Sequence, residues 1–219
     1  MQLKNIETVL FDLDGTLLDT APDMAYALNQ QRHKHGLPEL ELSFIRPLIG
    51  VGSRALLRLA FDIDEKHQEY PRLVDEFFSL YQTHLARSTQ LFPEMDRVLS
   101  YLEKKKIPWG IVTNRLNRFT HDLLKTLQLD KRAACVVCGD DLPKHKPHPD
   151  TILLACNQLR QHPEKCVYIG DNSVDVIASK SAGTKSLVAL YGYLQENDDP
   201  FSWQADGYLP NPLAILDWV

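Results

Sequence analysis

The stretch TVLFDLDGTLLDT, residues 8 to 20, constrains this chain more than any other. Thr8, Val9, Leu10 and Phe11 read as a buried strand. The run stops at Asp12 and Asp14, with Gly15 and Thr16 behind them. Side chains two apart on a strand point the same way. Carboxylates held that close repel, so one takes up a proton unless a positive charge sits between them. The end of this strand asks for a cation, a shared proton, or both. A simple turn is the bland alternative, and Gly15 favours it.

The remaining chain divides by pattern. Residues 21 to 106 read as almost entirely helical. Pro22 suits a first helical position and Gly36 a helix end. Ser53 is the expected N-cap after Gly50 and Gly52. Leu73, Phe77, Leu80, Tyr81 and His84 recur at helical spacing, and a further helix starts at Pro93 and Glu94. Lys104, Lys105 and Lys106 end it, which suits the negative end of the helix dipole. From residue 107 strands and helices alternate: IPWGIVT, AACVVCG, KCVYIGD and KSLVALY are the strands. NPLAILDW reads as a closing helix. Such alternation implies a parallel sheet with helices on both faces. The first strand must join that sheet, so the helical stretch is an insertion. The expected fold class is α/β, a doubly wound parallel-sheet core (1–18 and 93–219) with an inserted all-α helical cap domain (19–92).

Charge narrows the partners. Lys plus Arg number 24 against 29 Asp plus Glu, a formal net charge of −5. That balance argues against nucleic acid, which needs a basic face, but leaves room for a small anionic substrate. No apolar run reaches the ~20 residues of a membrane span. Glu7 interrupts any leader-like pattern at the start. Cys135 and Cys138 form a C-x-x-C on a strand-like run rather than at a helix start, so they and Cys156 and Cys166 read as buried thiols. A cytoplasmic protein is expected.

Ligands of open α/β sheets bind at the carboxyl ends of the strands. Strand ends here deliver Asp12 and Asp14, then Thr113 and Asn114, then Lys146 in DDLPKHKPHP, then Asp171 with Asp175 four residues on. Each has a plainer reading alone. Thr113-Asn114 suits a helix cap, Asp175 a first-turn acid, and Lys146 a solvated loop. His145 and His148 lack a third ligand at zinc spacing. All four clusters at strand ends, in this order, outweigh those readings.

The ordered set D-x-D-G-T, T-N, K-P-x-P and G-D-x-x-x-D resembles the haloacid dehalogenase superfamily of phosphohydrolases over essentially the whole chain. The insertion resembles the small helical cap of its phosphoglycolate phosphatases. The resemblance implies Mg²⁺-dependent hydrolysis of a small phosphorylated metabolite. Asp12 would be nucleophile and metal ligand, Asp171 a second ligand, and Asp14 a proton carrier whose backbone carbonyl also reaches the metal. Lys146 would place a charge beside the phosphoryl group, Thr113 and Asn114 would bind its oxygens, and Asp175 would support the metal shell or Lys146. An oxygen-only donor set is what Mg²⁺ prefers.

The C-terminal run from Leu187 is similar to a subgroup acting on N-acetylmuramic acid 6-phosphate. A phosphomutase would share nearly all these residues, whereas a dehalogenase would not need Asp14. An inactive fold serving as a binding module is a third class, against which the intact motif set argues. Asn172 and Ser173, and Arg115 and Leu116, depart from the family's usual residues. Both candidate substrates carry a carboxylate, and Arg54 and Arg115 are the expected second cations. The expected state is a monomer or weak homodimer.

Overall fold

The computed structural model describes residues 6–219. The chain begins with β1 (Thr8–Phe11), a two-residue β2 (Leu18–Asp19), and helices α1 (Ala21–Lys34), α2 (Leu42–Ile45), α3 (Ser53–Phe61) and α4 (Tyr70–Thr83). A 3₁₀ segment, Arg46–Val51, joins α2 to α3. Next come a two-residue β3 (Gln90–Leu91) and α5 (Met95–Lys104). Alternation follows: β4 (Trp109–Val112), α6 (Asn117–Thr126), β5 (Cys135–Val137), α7 (Asp150–Gln158), β6 (Cys166–Gly170), α8 (Ser173–Ala182), β7 (Lys185–Ala189) and β8 (Gly207–Leu209).

Six strands form one sheet in the order β5-β4-β1-β6-β7-β8, and every neighbouring pair is parallel. Helices therefore cover both faces, as parallel sheets require. All of β1 is buried, which explains its unbroken apolar sequence. The direction of winding reverses at β1, between β4 and β6, and such a switch point opens a crevice at the strand ends. Phe11 lies opposite both Ile111 and Ile169, so Asp12, Thr113 and Asp171 leave the sheet at one edge.

The helical stretch is anchored at both ends by a small antiparallel pair, with Leu18 opposite Leu91 and Asp19 opposite Gln90. Within it α4 buries Leu73, Phe77 and Tyr81, one face at helical spacing. α5 buries Met95, Val98, Leu99 and Leu102 the same way.

The structure corrects several local expectations. Gly52, not Ser53, holds the N-cap of α3, at φ 104. The 3₁₀ segment closes there in left-handed geometry, which glycine tolerates, and Ser53 becomes the first helical residue. Residues Pro212–Asp217 form a 3₁₀ helix rather than an α-helix. The added strand β8 begins at Gly207, where a Cβ would lie 2.3 Å from the Trp218 ring. All four cysteines are buried and free. Among the described residues no helix is long and apolar enough to cross a membrane.

Candidate active site

The loop after β1 turns at Gly15, φ +83, so tightly that a Cβ there would sit 2.2 Å from Asp171 Oδ2. This turn presses the first aspartates against the end of β6. Asp12 Oδ1 accepts the Leu13 amide at 2.7 Å and lies 2.8 Å from Lys146 Nζ. The same ammonium meets Asp175 Oδ1 at 2.8 Å and donates to Tyr168 Oη at 2.7 Å. The Tyr168 hydroxyl in turn donates to the Val112 carbonyl at 2.8 Å. Lys146 is thus fully partnered at 2% exposure.

Asn114 reaches that loop with its side chain, giving Nδ2 to the Lys146 carbonyl at 2.9 Å and accepting the Lys146 amide at 3.1 Å. It positions the lysine, a contact the sequence reading did not foresee. Thr113 Oγ1 accepts the Arg115 amide at 3.1 Å. Asn172, one of the departures from the family pattern, caps α8. Its side chain accepts from Val174, while Asp175 Oδ2 accepts the Asn172 amide at 3.0 Å. Asp171 is held on both oxygens, by Thr16 Oγ1 at 3.0 Å and the Tyr193 amide at 2.7 Å.

Asp12, Asp171 and Asp175 each bring an oxygen within 4.8 Å of the others. With all three carboxyls ionised, Lys146 alone would leave two negative charges unbalanced in a buried space. Burial, with Asp175 and Asp14 adding to it, pushes Asp12 up to about 7 despite the pull of Lys146. Burial, then Asp12 and Asp175, raises Asp171 well above the carboxylate range. Acids that resist ionising together, all with oxygen donors, fit a hard divalent cation such as Mg²⁺. Among side chains, Asp175 therefore belongs to this cluster and Asp14 does not.

Asp14 is committed elsewhere. Arg115 donates to it through Nε at 3.0 Å and through Nη2, and Thr20 Oγ1 donates to it as well. Burial would raise this carboxyl, but the Arg115 guanidinium and these hydrogen bonds hold it below its ordinary value. Without a cation, Asp12 is therefore the carboxyl pushed up and Asp14 the one held down.

A cavity of about 470 Å³ opens over this edge. Asp12, Asp14, Thr113 and Asn114 face it from the sheet, and Ile49 to Ser53 face it from the helical stretch. Phe78 and Phe119 give it an aromatic wall, their rings 5.2 Å apart. Arg54 is not there: its side chain is 69% exposed and ion-paired with Glu65 at 3.0 Å. It lies one helical step past Ser53, and that step turns it outward. Arg115 does border the cavity, but Asp14 and Tyr81 use all its inward nitrogens. In this structure both arginines are paired within the protein, Arg54 at the surface and Arg115 at the cavity edge. Tyr168, Tyr81, Thr20 and Tyr193 went unrecognised in the sequence. Single hydroxyl residues in apolar stretches carry no spacing signal there.

The haloacid dehalogenase-like hydrolase family model matches residues 9–189. The chain belongs to that family. It is 42% identical over 210 residues to a phosphoglycolate phosphatase of Xanthomonas campestris pv. campestris strain 8004, covering 95% of this chain and 94% of the relative. It is 36% identical over 217 residues to the N-acetylmuramic acid 6-phosphate phosphatase of Pseudomonas aeruginosa, covering 99% and 96%. The crystal structure of a predicted phosphoglycolate phosphatase from Haemophilus somnus 129pt superposes with a TM-score of 0.85 at 25% identity, over 98% of each chain.

Proposed function

We propose that this hydrolase cleaves a small phosphomonoester through an aspartyl-phosphate on Asp12, with Mg²⁺ bound by Asp12, Asp171, Asp175 and the Asp14 carbonyl. The observation that carries this reading is the Asp12–Lys146 contact beside a carboxylate cluster that, fully ionised, is two charges short of balance, at the floor of a cavity. Mg²⁺ would keep Asp12 ionised and shield it from the phosphate dianion. Asp12 attacks phosphorus, and the bond to the leaving oxygen breaks. Lys146 balances charge on the phosphoryl oxygens, while Thr113 and the Asn114 amide orient them. Asp14 delivers the proton to the leaving oxygen, then takes one from the water that releases phosphate. That role requires Asp14 to leave the Arg115 fork, a motion that closure of residues 19–92 as a cap domain would supply.

One chain provides every residue of this site, in keeping with a monomer or weak homodimer. Phosphoglycolate is the first candidate substrate, after the Xanthomonas relative. The cavity favours a second reading. Its volume of about 470 Å³ and the two phenyl rings that line it leave room and apolar surface for a leaving group larger than a two-carbon acid. A sugar acid such as N-acetylmuramic acid 6-phosphate fills it better.

The test is phosphate release from both compounds and from glucose 6-phosphate, with Mg²⁺ and no bisphosphorylated activator. Release from one of them supports a phosphatase. Turnover that depends on the activator would instead identify a mutase.

A further inference from the structure

The turn after β7, residues 190 to 193, takes no part in the chemistry above, yet it touches both halves of the site. Gly192 lies so close to the cluster that a Cβ would fall 2.3 Å from Asp171 Cβ and 2.5 Å from the Gly15 carbonyl oxygen. The next amide, Tyr193 N–H, holds Asp171 Oδ2 at 2.7 Å. The Tyr193 side chain then runs away from the cluster, 2% exposed, to the start of the helical stretch. Its hydroxyl accepts the Ala21 amide, the first of α1, at 2.9 Å and donates to Asp19 Oδ1 at 2.8 Å. The other oxygen of Asp19 pairs with Arg46 Nη1 at 3.0 Å, and the Arg46 guanidinium lies 5.0 Å from the Tyr193 ring centre.

Arg46 opens the 3₁₀ segment Arg46–Val51, which supplies Ile49, Gly50 and Val51 to the cavity wall. A continuous path therefore runs from Asp171 through Tyr193, Asp19 and Arg46 to the surface that a leaving group must meet. The ring alone would fill this space, and phenylalanine would pack as well. The hydroxyl is spent wholly on the junction: it satisfies an orphan helix amide and fixes the acid that orients Arg46.

We propose that Tyr193 is a positioning residue that sets the 46–53 wall of the cavity relative to the carboxylate cluster through Asp19 and Arg46. It touches neither metal nor substrate. Its hydroxyl governs how well the wall is held, and its amide keeps Asp171 in place whatever the side chain. The kinetic arm of the test rests on the phosphatase reading, and the exchange arm does not.

The experiment compares wild type, Tyr193→Phe, Arg46→Met and the double variant. Hydrogen exchange of the amides of residues 46–53 should be about tenfold faster in Tyr193→Phe, the loss of one or two hydrogen bonds, with β1 and β6 unchanged. Arg46→Met should give a similar acceleration, and the double variant no more than the larger single, since both cut one path. KM for the best phosphomonoester should rise about tenfold with kcat held within about twofold. Mg²⁺ affinity, titrated calorimetrically with the metal alone, should stay within about twofold, because the Tyr193 amide is retained. Wild-type exchange at 46–53 in Tyr193→Phe, or multiplied effects in the double variant, would overturn the proposal. So would a loss of Mg²⁺ binding in Tyr193→Phe, which would place the hydroxyl in the cluster instead. If wild type turns over no phosphomonoester, the phosphatase reading fails alone and the exchange data still decide.

Discussion

Arg115 grips Asp14 through Nε and Nη2 and gives Nη1 to the Tyr81 hydroxyl at 2.6 Å. One guanidinium thus joins a carboxylate of the loop after β1 to a residue of α4. Removing one partner of a buried ion pair leaves the other charge unsupported and costs ~3–5 kcal/mol. Asp14 keeps 16% exposure, which favours the lower end. Arg115→Ala should therefore lower unfolding stability by about 3 kcal/mol near neutral pH. Arg115→Lys should recover only part of it, because an ammonium cannot span both oxygens and Tyr81. Denaturant titration of the three proteins checks this; equal stabilities would show that the fork contributes nothing.

Arg54 provides the contrasting case. Its exposed pair with Glu65 is of the kind worth little. Arg54→Ala should change stability by no more than ~0.5 kcal/mol and leave kcat/KM within about twofold for phosphoglycolate and N-acetylmuramic acid 6-phosphate alike. A selective loss on these acids, with glucose 6-phosphate spared, would return Arg54 to the substrate.

The contrast between these arginines marks what the sequence can carry. Asp12, Thr113, Lys146, Asp171 and Asp175 could be placed at one edge because parallel strands deliver their carboxyl ends together. Strand periodicity and motif order suffice for that. The facing of Arg54 depends on where α3 begins, and the shift of the N-cap from Ser53 to Gly52 turns with it. The partner of Arg115 depends on a contact 101 residues apart in the chain, which no local pattern encodes. Tyr193 is hidden for the same reason: its partners Asp19 and Ala21 lie more than 170 residues earlier. β2, β3 and β8 are two or three residues long, too short for alternation to register.

Asp12→Asn tests the nucleophile. An amide cannot form the aspartyl-phosphate, so turnover should fall beyond the ~10²–10⁴-fold typical of a lost acid or base. Lys146 keeps Asp175 and Tyr168 as partners, so the fold should persist. Circular dichroism with a sensitive phosphate-release assay separates the two. A residual rate above about one part in ten thousand would assign the nucleophile elsewhere.

The buried cluster should also set how stability depends on pH. Burial holds Asp12 up to about 7 and raises Asp171 well above the ordinary carboxylate value, against an unfolded value of ~3.9. The folded state then binds these protons more tightly than the unfolded chain. Their contribution is complete below the unfolded value and is lost as pH rises through the folded one. Asp14 works in the other direction, since its lowered value gives stability above ~3.9 that is lost on further acidification. Without metal the melting temperature should fall from pH 5 to pH 8. A divalent cation binds the ionised cluster in the folded state and competes with protons there, so its stabilisation should grow with pH. Melting curves at pH 5, 6, 7 and 8 in EDTA and in Mg²⁺ should diverge toward the alkaline end, and Asp12→Asn should flatten the EDTA slope. A melting temperature that rises from pH 5 to 8 in EDTA, or an equal Mg²⁺ shift at both ends, would mean that these carboxylates do not share one buried site.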